Sequence, residues 1–328
     1  MARPFITIIG LGSTGSSLAL ALRKEPGDFD LIGHEKSSVA EGEARRLNVV
    51  TRTEWNLHRS VEGSSLVVLA IPLPEIEETL RQIAEDLAPE SLLLVLNSLM
   101  QPVVQMAERT IPGHRRLVVG HAIEDLRPAS APNSERYTGN TFCLATTAQT
   151  EPAAIELASD FVERVGAKPH FLDAAEHDGI MALVDQAPQV LGAALLALSL
   201  GSNGWRESRQ LAGGRFANST AIGDNAGQIF RALRENRANL ALRLAQLQDE
   251  LARWQSLLDA DDPLDEEDHP LLAALESITE GRAQWEAEAL SHSFEAGPGE
   301  SGNDAGAGMF RQLFLGGLGR RKQSPSGR

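Results

Sequence analysis

Ile6-Thr7-Ile8-Ile9-Gly10-Leu11-Gly12-Ser13-Thr14-Gly15-Ser16-Ser17-Leu18-Ala19 is the stretch that decides the fold. An apolar, β-rich run passes through glycines spaced G-x-G-x-x-G and directly into a helix-forming segment. Gly10 suits the tight turn that leaves a strand, and Gly12 lets backbone come close to a pyrophosphate. Gly15 lets the helix lie against the strand. The helix N-terminus then offers N–H groups and the positive end of its dipole to phosphate. Leu11, Ser13 and Thr14 fill the turn and complete the candidate phosphate cradle.

Context strengthens the motif. A second apolar strand ends at Gly33-His34-Glu35, the spacing at which a carboxylate can hold adenosine ribose hydroxyls. Glu35 therefore favours NAD, while Lys36, directly after it, is placed to attract a 2′-phosphate and keeps NADP open. The next strand end, Ala70-Ile71-Pro72-Leu73-Pro74, falls at the carboxyl edge where such sheets bind cofactor, so Ile71 and Pro72 join the candidate cofactor residues.

Outward from this motif, short apolar runs alternate with amphipathic stretches through the first half. That is the pattern of an α/β Rossmann-type unit, an open parallel sheet covered by helices. Strands are expected at residues 4–10, 29–35, 65–71, 91–97, 116–120, 141–146 and 168–172, and helices at 14–23, 74–87, 102–109 and 151–165. Pro74 and Pro102 suit first-turn positions, where no backbone donor is needed. After Asp173 strand signals stop, and residues 174–292 carry only helical periods, among them one long charged helix over 229–258. The expected organisation is a dinucleotide-binding domain at 1–172, an all-α dimerisation domain at 173–292 and a disordered, Gly- and Ser-rich tail at 293–328.

Composition narrows the partners. The chain has 328 residues, 30 Lys+Arg against 45 Asp+Glu and a formal net charge of -15, which argues against nucleic acid and against an anionic membrane surface. A single cysteine, Cys143, fits a reducing compartment; between Phe142 and Leu144 it reads as a buried packing residue. The apolar run at residues 5–10 is shorter than a signal-peptide core needs, so a cytoplasmic location is expected. The most apolar long stretch, residues 182–201, holds Asp185, Gln186, Pro188 and Gln189 near one end and reads as a buried helix rather than a membrane span. Exposing Leu191 to Leu200 would be costly, and a homodimer is expected to cover it.

These features resemble the prephenate/arogenate dehydrogenases of tyrosine biosynthesis. The likeness rests on the glycine turn followed by SLALAL, on Gly33-His34-Glu35-Lys36 in place of G-Y-D-R, and on a helical second half that opens with Glu176-His177-Asp178. It covers residues 5–291. It implies a nucleotide domain, a helical domain that makes the dimer, and an active site in the cleft between them. It also implies oxidative decarboxylation of a small-molecule substrate, with hydride leaving the hydroxyl-bearing ring carbon and a histidine taking the hydroxyl proton.

Carried over position by position, the resemblance is partial. The family's D-V-G-S-V-K looks like Val95 to Met100, so Ser98 matches the serine and the lysine is missing. The S-H-P-M-A-G turn looks like Gly120 to Asp125; His121 is kept as the candidate general acid/base, because an imidazole titrates near neutrality. The family's S-H pair becomes Asp185-Gln186, its final substrate-binding histidine becomes Gln189, and the arginine that would hold a substrate carboxylate falls on Ala221. Arg206, Arg209 and Arg215 are the alternatives nearby, and Asp185, Gln189 and Arg215 are carried as candidate substrate contacts. Loss of the arginine removes a bidentate, charge-assisted contact worth a few kcal/mol in a dry site, roughly 100-fold in rate or affinity. Two other readings therefore stay open: a related dehydrogenase acting on a less anionic substrate, and a non-catalytic NAD(H)-binding relative. His177, in the first turn of its helix, reads as structural, and no metal site is expected because the histidines lack ligand spacing.

Overall fold

The computed structural model describes residues 4–294 apart from 25–26, 28, 112, 115, 125, 127–130, 224 and 260–268. The expected tail therefore lies outside the described residues, except for its first two positions. In chain order the first unit runs β1 (Phe5–Ile9), α1 (Ser13–Arg23), β2 (Asp30–His34), α2 (Ser38–Arg46), β3 (Arg52–Thr53), α3 (Leu57–Val61) and β4 (Leu66–Leu69). It continues with α4 (Leu73–Ile83), β5 (Leu92–Leu96), α5 (Gln101–Thr110), β6 (Leu117–Ala122), β7 (Thr141–Ala145), α6 (Pro152–Arg164) and β8 (Lys168–Phe171).

Every expected strand forms, with the two-residue β3 added at the edge. Two helices escape the apolar-periodicity argument because they bury little: α2 buries only Ala44 and is set instead by Ser37, whose side chain caps its first turn. α3 is likewise started by Asn56, whose side chain accepts from the Arg59 N–H. Pro74 and Pro102 do sit in the first turns of α4 and α5. α4 also shows how burial fixes a helix: Leu73, Ile76, Leu80 and Ile83 fall on one stripe and are buried, each contributing about 1.5–3 kcal/mol.

The strands make one eight-stranded sheet in the order β3-β2-β1-β4-β5-β6-β7-β8. Both faces are dry. Ile6, Ile8, Leu66, Val68, Leu92 and Leu94 enter one cluster with Leu18 of α1 and Phe161 of α6. The alternate residues Val67, Leu69, Leu93 and Val95 are equally buried, as the two-residue period of a strand requires. One expectation is corrected: the sheet is not wholly parallel. β7 pairs antiparallel with β6, with His121 opposite Cys143, and parallel with β8. Among the described residues the β6–β7 connection carries no crossover helix, and an antiparallel neighbour is what such a return permits.

The second unit, Ala175–Ser293, is helical. α7 (Ala174–Met181) runs through a π-helical turn (Ala182–Gln186) into α8 (Ala187–Leu200); α9 (Trp205–Ser208), α10 (Gly214–Ser219), α11 (Ala226–Glu235), α12 (Arg237–Asp259) and α13 (Pro270–Ser291) follow. The single helix expected over 229–258 is broken at Asn236, whose amide side chain turns inward to the Asp178 carbonyl oxygen and to Gln186 Oε1, both at 2.8 Å. The apolar stretch expected to be buried is largely exposed in the single chain, with Leu198 at 74%. The continuous helix Ala174–Leu200 is long and apolar enough, by length and composition, to cross a membrane; the same helix carries the buried His177, Asp178 and Gln186.

Candidate functional site

Strand order reverses direction at β1, which lies between β2 and β4. In open α/β sheets the crevice beyond the carboxyl ends of such strands is where ligands bind. Here that crevice is a groove of about 340 Å³ lined by Gly10, Gly12, Glu35, Lys36, Ile71 and Pro72, among others. Gly10 leaves β1 with φ +92, and its N–H donates to the His34 carbonyl oxygen at 2.9 Å. A Cβ on Gly10 would stand 2.3 Å from the Ala70 oxygen, and one on Gly15 would stand 2.0 Å from the Gly10 oxygen. A Cβ on Gly12 would meet nothing within 4 Å. Packing within the protein thus requires the first and third glycines but not the second. Gly12 is the N-cap of α1 and makes no side-chain cap bond, so the helix end opens onto the groove. That combination fits a pyrophosphate brought close to backbone.

Glu35 closes the turn. One carboxylate oxygen accepts from the Leu11 N–H and the other from the Ser37 N–H, both at 2.9 Å. A carboxylate has about four acceptor positions, so ribose hydroxyls can still be held on the free lone pairs. Leu11 is otherwise a packing residue, buried against Gly33. Lys36 is drawn to Glu75, Nζ to carboxylate 2.7 Å, so its charge is partly matched within the groove.

The two candidate catalytic residues leave neighbouring strand ends. Leu96 of β5 is in register with Gly120 of β6, and the Asn97 N–H donates to the Gly120 carbonyl oxygen at 2.9 Å. Ser98 and His121 follow directly on the same edge, and both are half-buried. Sequence reasoning missed a pair beside the glycine turn, Glu124 and Arg136. Arg136 donates to Glu124 from Nε at 3.0 Å and from Nη2 at 2.6 Å, and from Nη1 to Ser13 Oγ at 2.9 Å. Burial raises the Tyr137 phenol above its ordinary pKa. No local signal could have found the Arg136–Ser13 tie, because it joins residues 123 apart in the chain.

The helical candidates separate. Gln186 is 2% exposed and spent inside the unit, accepting from Asn236 and donating to the Ala232 carbonyl oxygen at 3.1 Å. Asp185 and Gln189 remain half-buried as a pair, the amide donating to the carboxylate at 3.2 Å. Burial raises the Asp185 pKa and the Gln189 bond opposes it. Arg215 is exposed on α10 beside a hollow of about 550 Å³ lined by Trp205 and Phe216. His177 is buried with Nδ1 3.0 Å from Asp178 Oδ1.

Cys143 is buried, and desolvation raises its thiol from 9.0 to about 11. The thiolate is the nucleophile, so its fraction at pH 8 is roughly a thousandth. Folded protein should therefore show no alkylation by iodoacetamide over the time in which the guanidinium-unfolded chain reacts completely. Fast labelling of the native protein would contradict this burial.

A parallel sheet with a glycine turn at its switch point, followed in the chain by a helical unit, defines the class of nucleotide-binding dehydrogenase folds. The chain belongs to the prephenate dehydrogenase family: "Prephenate dehydrogenase, nucleotide-binding domain" matches residues 18–170 and "Prephenate dehydrogenase, dimerization domain" matches 173–274. The first match begins beyond the glycine turn, so the turn is argued from its own geometry. Prephenate dehydrogenase of Bacillus subtilis is 25% identical over 232 residues, 69% of this chain and 62% of its own length. Cyclohexadienyl dehydrogenase of Zymomonas mobilis is 24% identical over 233 residues, 69% of this chain and 78% of the relative. Among solved structures, prephenate dehydrogenase from Aquifex aeolicus, in complex with hydroxyphenyl propionate and NAD+, shares the fold. Its TM-score is 0.75 at 18% identity, covering 87% of this chain and 99% of that one.

Proposed function

We propose that this protein is an NAD-dependent dehydrogenase that oxidatively decarboxylates prephenate or arogenate in tyrosine biosynthesis. The observation that carries the reading is Gly12, a glycine that the protein's own packing does not need, at the mouth of a groove ending on Glu35. When bound, the nicotinamide dinucleotide supplies the hydride acceptor. Gly10 to Gly15 hold its pyrophosphate, with Leu11, Ser13 and Thr14 supplying the turn between the glycines. Glu35 holds the ribose, and Ile71 and Pro72 form the facing wall. His121 takes the proton from the substrate hydroxyl, and Ser98 orients that hydroxyl.

A specific observation favours arogenate over prephenate. Ala221 stands where the resemblance implies a carboxylate-binding arginine, and the Asp185–Gln189 pair places an acid on the helical unit. Prephenate brings two carboxylates, whereas arogenate carries an ammonium group in place of the keto group and is the less anionic of the two. Arg215 is the remaining cation among the helical candidates. The protein works in the cytoplasm as a homodimer, whose partner covers the apolar residues of α8; the match to a dimerization domain supports this.

NADH formation followed at 340 nm tests the reading with prephenate, arogenate and a panel of neutral hydroxy acids and imines. Turnover of arogenate above prephenate is expected. Tight NADH binding without turnover on any of them would make the protein a nucleotide sensor instead. Lys36 gives a second measurement. An exposed ion pair is worth up to about 1 kcal/mol, so Glu75→Gln should free Lys36 and raise NADPH affinity relative to NADH about 3–5-fold. An unchanged ratio would leave Lys36 as a surface ion pair with no part in cofactor choice.

A further inference from the structure

Arg136 is a buried cation set against the phosphate-binding turn. Its side chain is 8% exposed, Glu124 holds two of its nitrogens, and its third donates to Ser13 Oγ at 2.9 Å. The segment around it is tied to the start of α1 once more. The Asn133 N–H donates to Ser17 Oγ at 3.1 Å, and Ser17 Oγ in turn donates to the Ser13 carbonyl oxygen at 2.7 Å. Ser13 itself is the first residue of α1, directly after the open Gly12, and its side chain is half-buried.

The chemistry of that one contact is directional. A guanidinium has five N–H donors and no acceptor, so the Ser13 oxygen must accept from Arg136. Its hydroxyl hydrogen is then the group left to donate, and among the described residues no acceptor for it is found. Left alone, a serine in the first turn of a helix is free to rotate and to turn its hydrogen back onto nearby backbone. With Arg136 fixed by Glu124, one lone pair of the oxygen is occupied, which restricts how the hydroxyl can turn.

We propose that Arg136 is a positioning residue for dinucleotide binding, which fixes Ser13 so that its hydroxyl donates to a phosphate oxygen of the dinucleotide. The proposal rests on the reading of the glycine turn as the dinucleotide site. It adds a side-chain donor, and the residue that aims it, to the backbone donors of the turn. Glu124 keeps the buried guanidinium neutralised while leaving Nη1 directed at Ser13.

NADH titrations of the wild type, Ser13→Ala, Arg136→Met, Arg136→Lys and the Ser13→Ala/Arg136→Met double variant test this. A hydrogen bond to a charged group is worth about tenfold or more in affinity, so Ser13→Ala and Arg136→Met should each weaken NADH about tenfold. Because both act through one hydroxyl, the double variant should be no weaker than the poorer single variant. Arg136→Lys should recover part of the loss, since an ammonium also only donates. Wild-type affinity in Ser13→Ala, or losses that multiply in the double variant, would overturn the proposal and leave Arg136 a brace for α1. Ser13→Ala removes one half-buried hydroxyl and keeps a good helix former, so the test survives if Arg136→Met does not fold. Failure of the wild type to bind NADH would instead overturn the reading of the turn, and this proposal with it.

Discussion

Gly12→Ala is expected to abolish most NADH binding while leaving the fold intact, and Gly15→Ala is expected to do the reverse in cause: lose binding because the nucleotide unit no longer folds. Both add one methyl group to the same six-residue turn. At Gly12 the backbone is extended, with φ -67 and ψ -166, and the new Cβ meets nothing within 4 Å. Alanine is a poorer N-cap than glycine, which costs up to about 1 kcal/mol. In a complex, however, that methyl occupies the space through which a pyrophosphate approaches the helix end, and an affinity loss of 30-fold or more should follow. At Gly15 the added Cβ stands 2.0 Å from the Gly10 carbonyl oxygen and 3.2 Å from Ile8 Cγ2, in a core with no slack. Relief requires α1 to move off β1, breaking the cluster that Leu18 and Leu22 make with Ile6 and Ile8; a cost of about 3 kcal/mol or more is in keeping with overpacking of a dense core. Calorimetry of the two ligand-free variants together with NADH titration separates the cases. Unimpaired binding by Gly12→Ala would show that the groove is not where the dinucleotide lies, and equal melting temperatures would show that α1 accommodates a Cβ at Gly15.

The nucleotide unit was legible because its strands are buried on both faces and therefore read as continuous apolar runs, and because Gly15 answers to contacts a few residues away. The antiparallel pairing of β7 has no signature in its own residues, which read as one more strand of a parallel sheet. Other features left no local trace. α2 owes its existence to a cap and solvent-facing charges rather than to an apolar stripe. The break at Asn236 depends on an amide finding the Asp178 carbonyl oxygen and Gln186 across 58 and 50 residues of chain, inside a helical turn that itself carries a π-bulge. The same bulge decides the fates of Asp185 and Gln186: adjacent in sequence, one faces Gln189 and the other is consumed in the interior. Arg136 is legible only once the sheet has brought the β6–β7 connection against α1. Side chains whose partners are sequence neighbours can be read from the chain; those whose partners are set by the fold cannot.

His121→Asn should lower kcat by about 10²–10⁴-fold, the range that positioned general acid–base catalysis contributes, and should leave the NADH dissociation constant unchanged. The position argues for the role. The parallel pairing of β5 with β6 ends where Leu96 faces Gly120, so Ser98 and His121, which is still inside β6, come just beyond it toward the carboxyl edge on which the glycine turn also lies. Asparagine keeps a polar, planar side chain of similar reach at a half-buried site, so the fold has no reason to respond. What it lacks is a nitrogen that can take a proton and release it at neutral pH. Ser98→Ala should cost less, about tenfold, because a hydroxyl that orients the substrate contributes one hydrogen bond rather than a proton-transfer step. The kinetic signature distinguishes a base from a mere contact: the loss should fall on kcat with KM little changed. Turnover within threefold of wild type would move the proton-accepting role away from His121. The half-buried carboxyl of Asp185, with its pKa raised by burial, would then be the group to test next by Asp185→Asn.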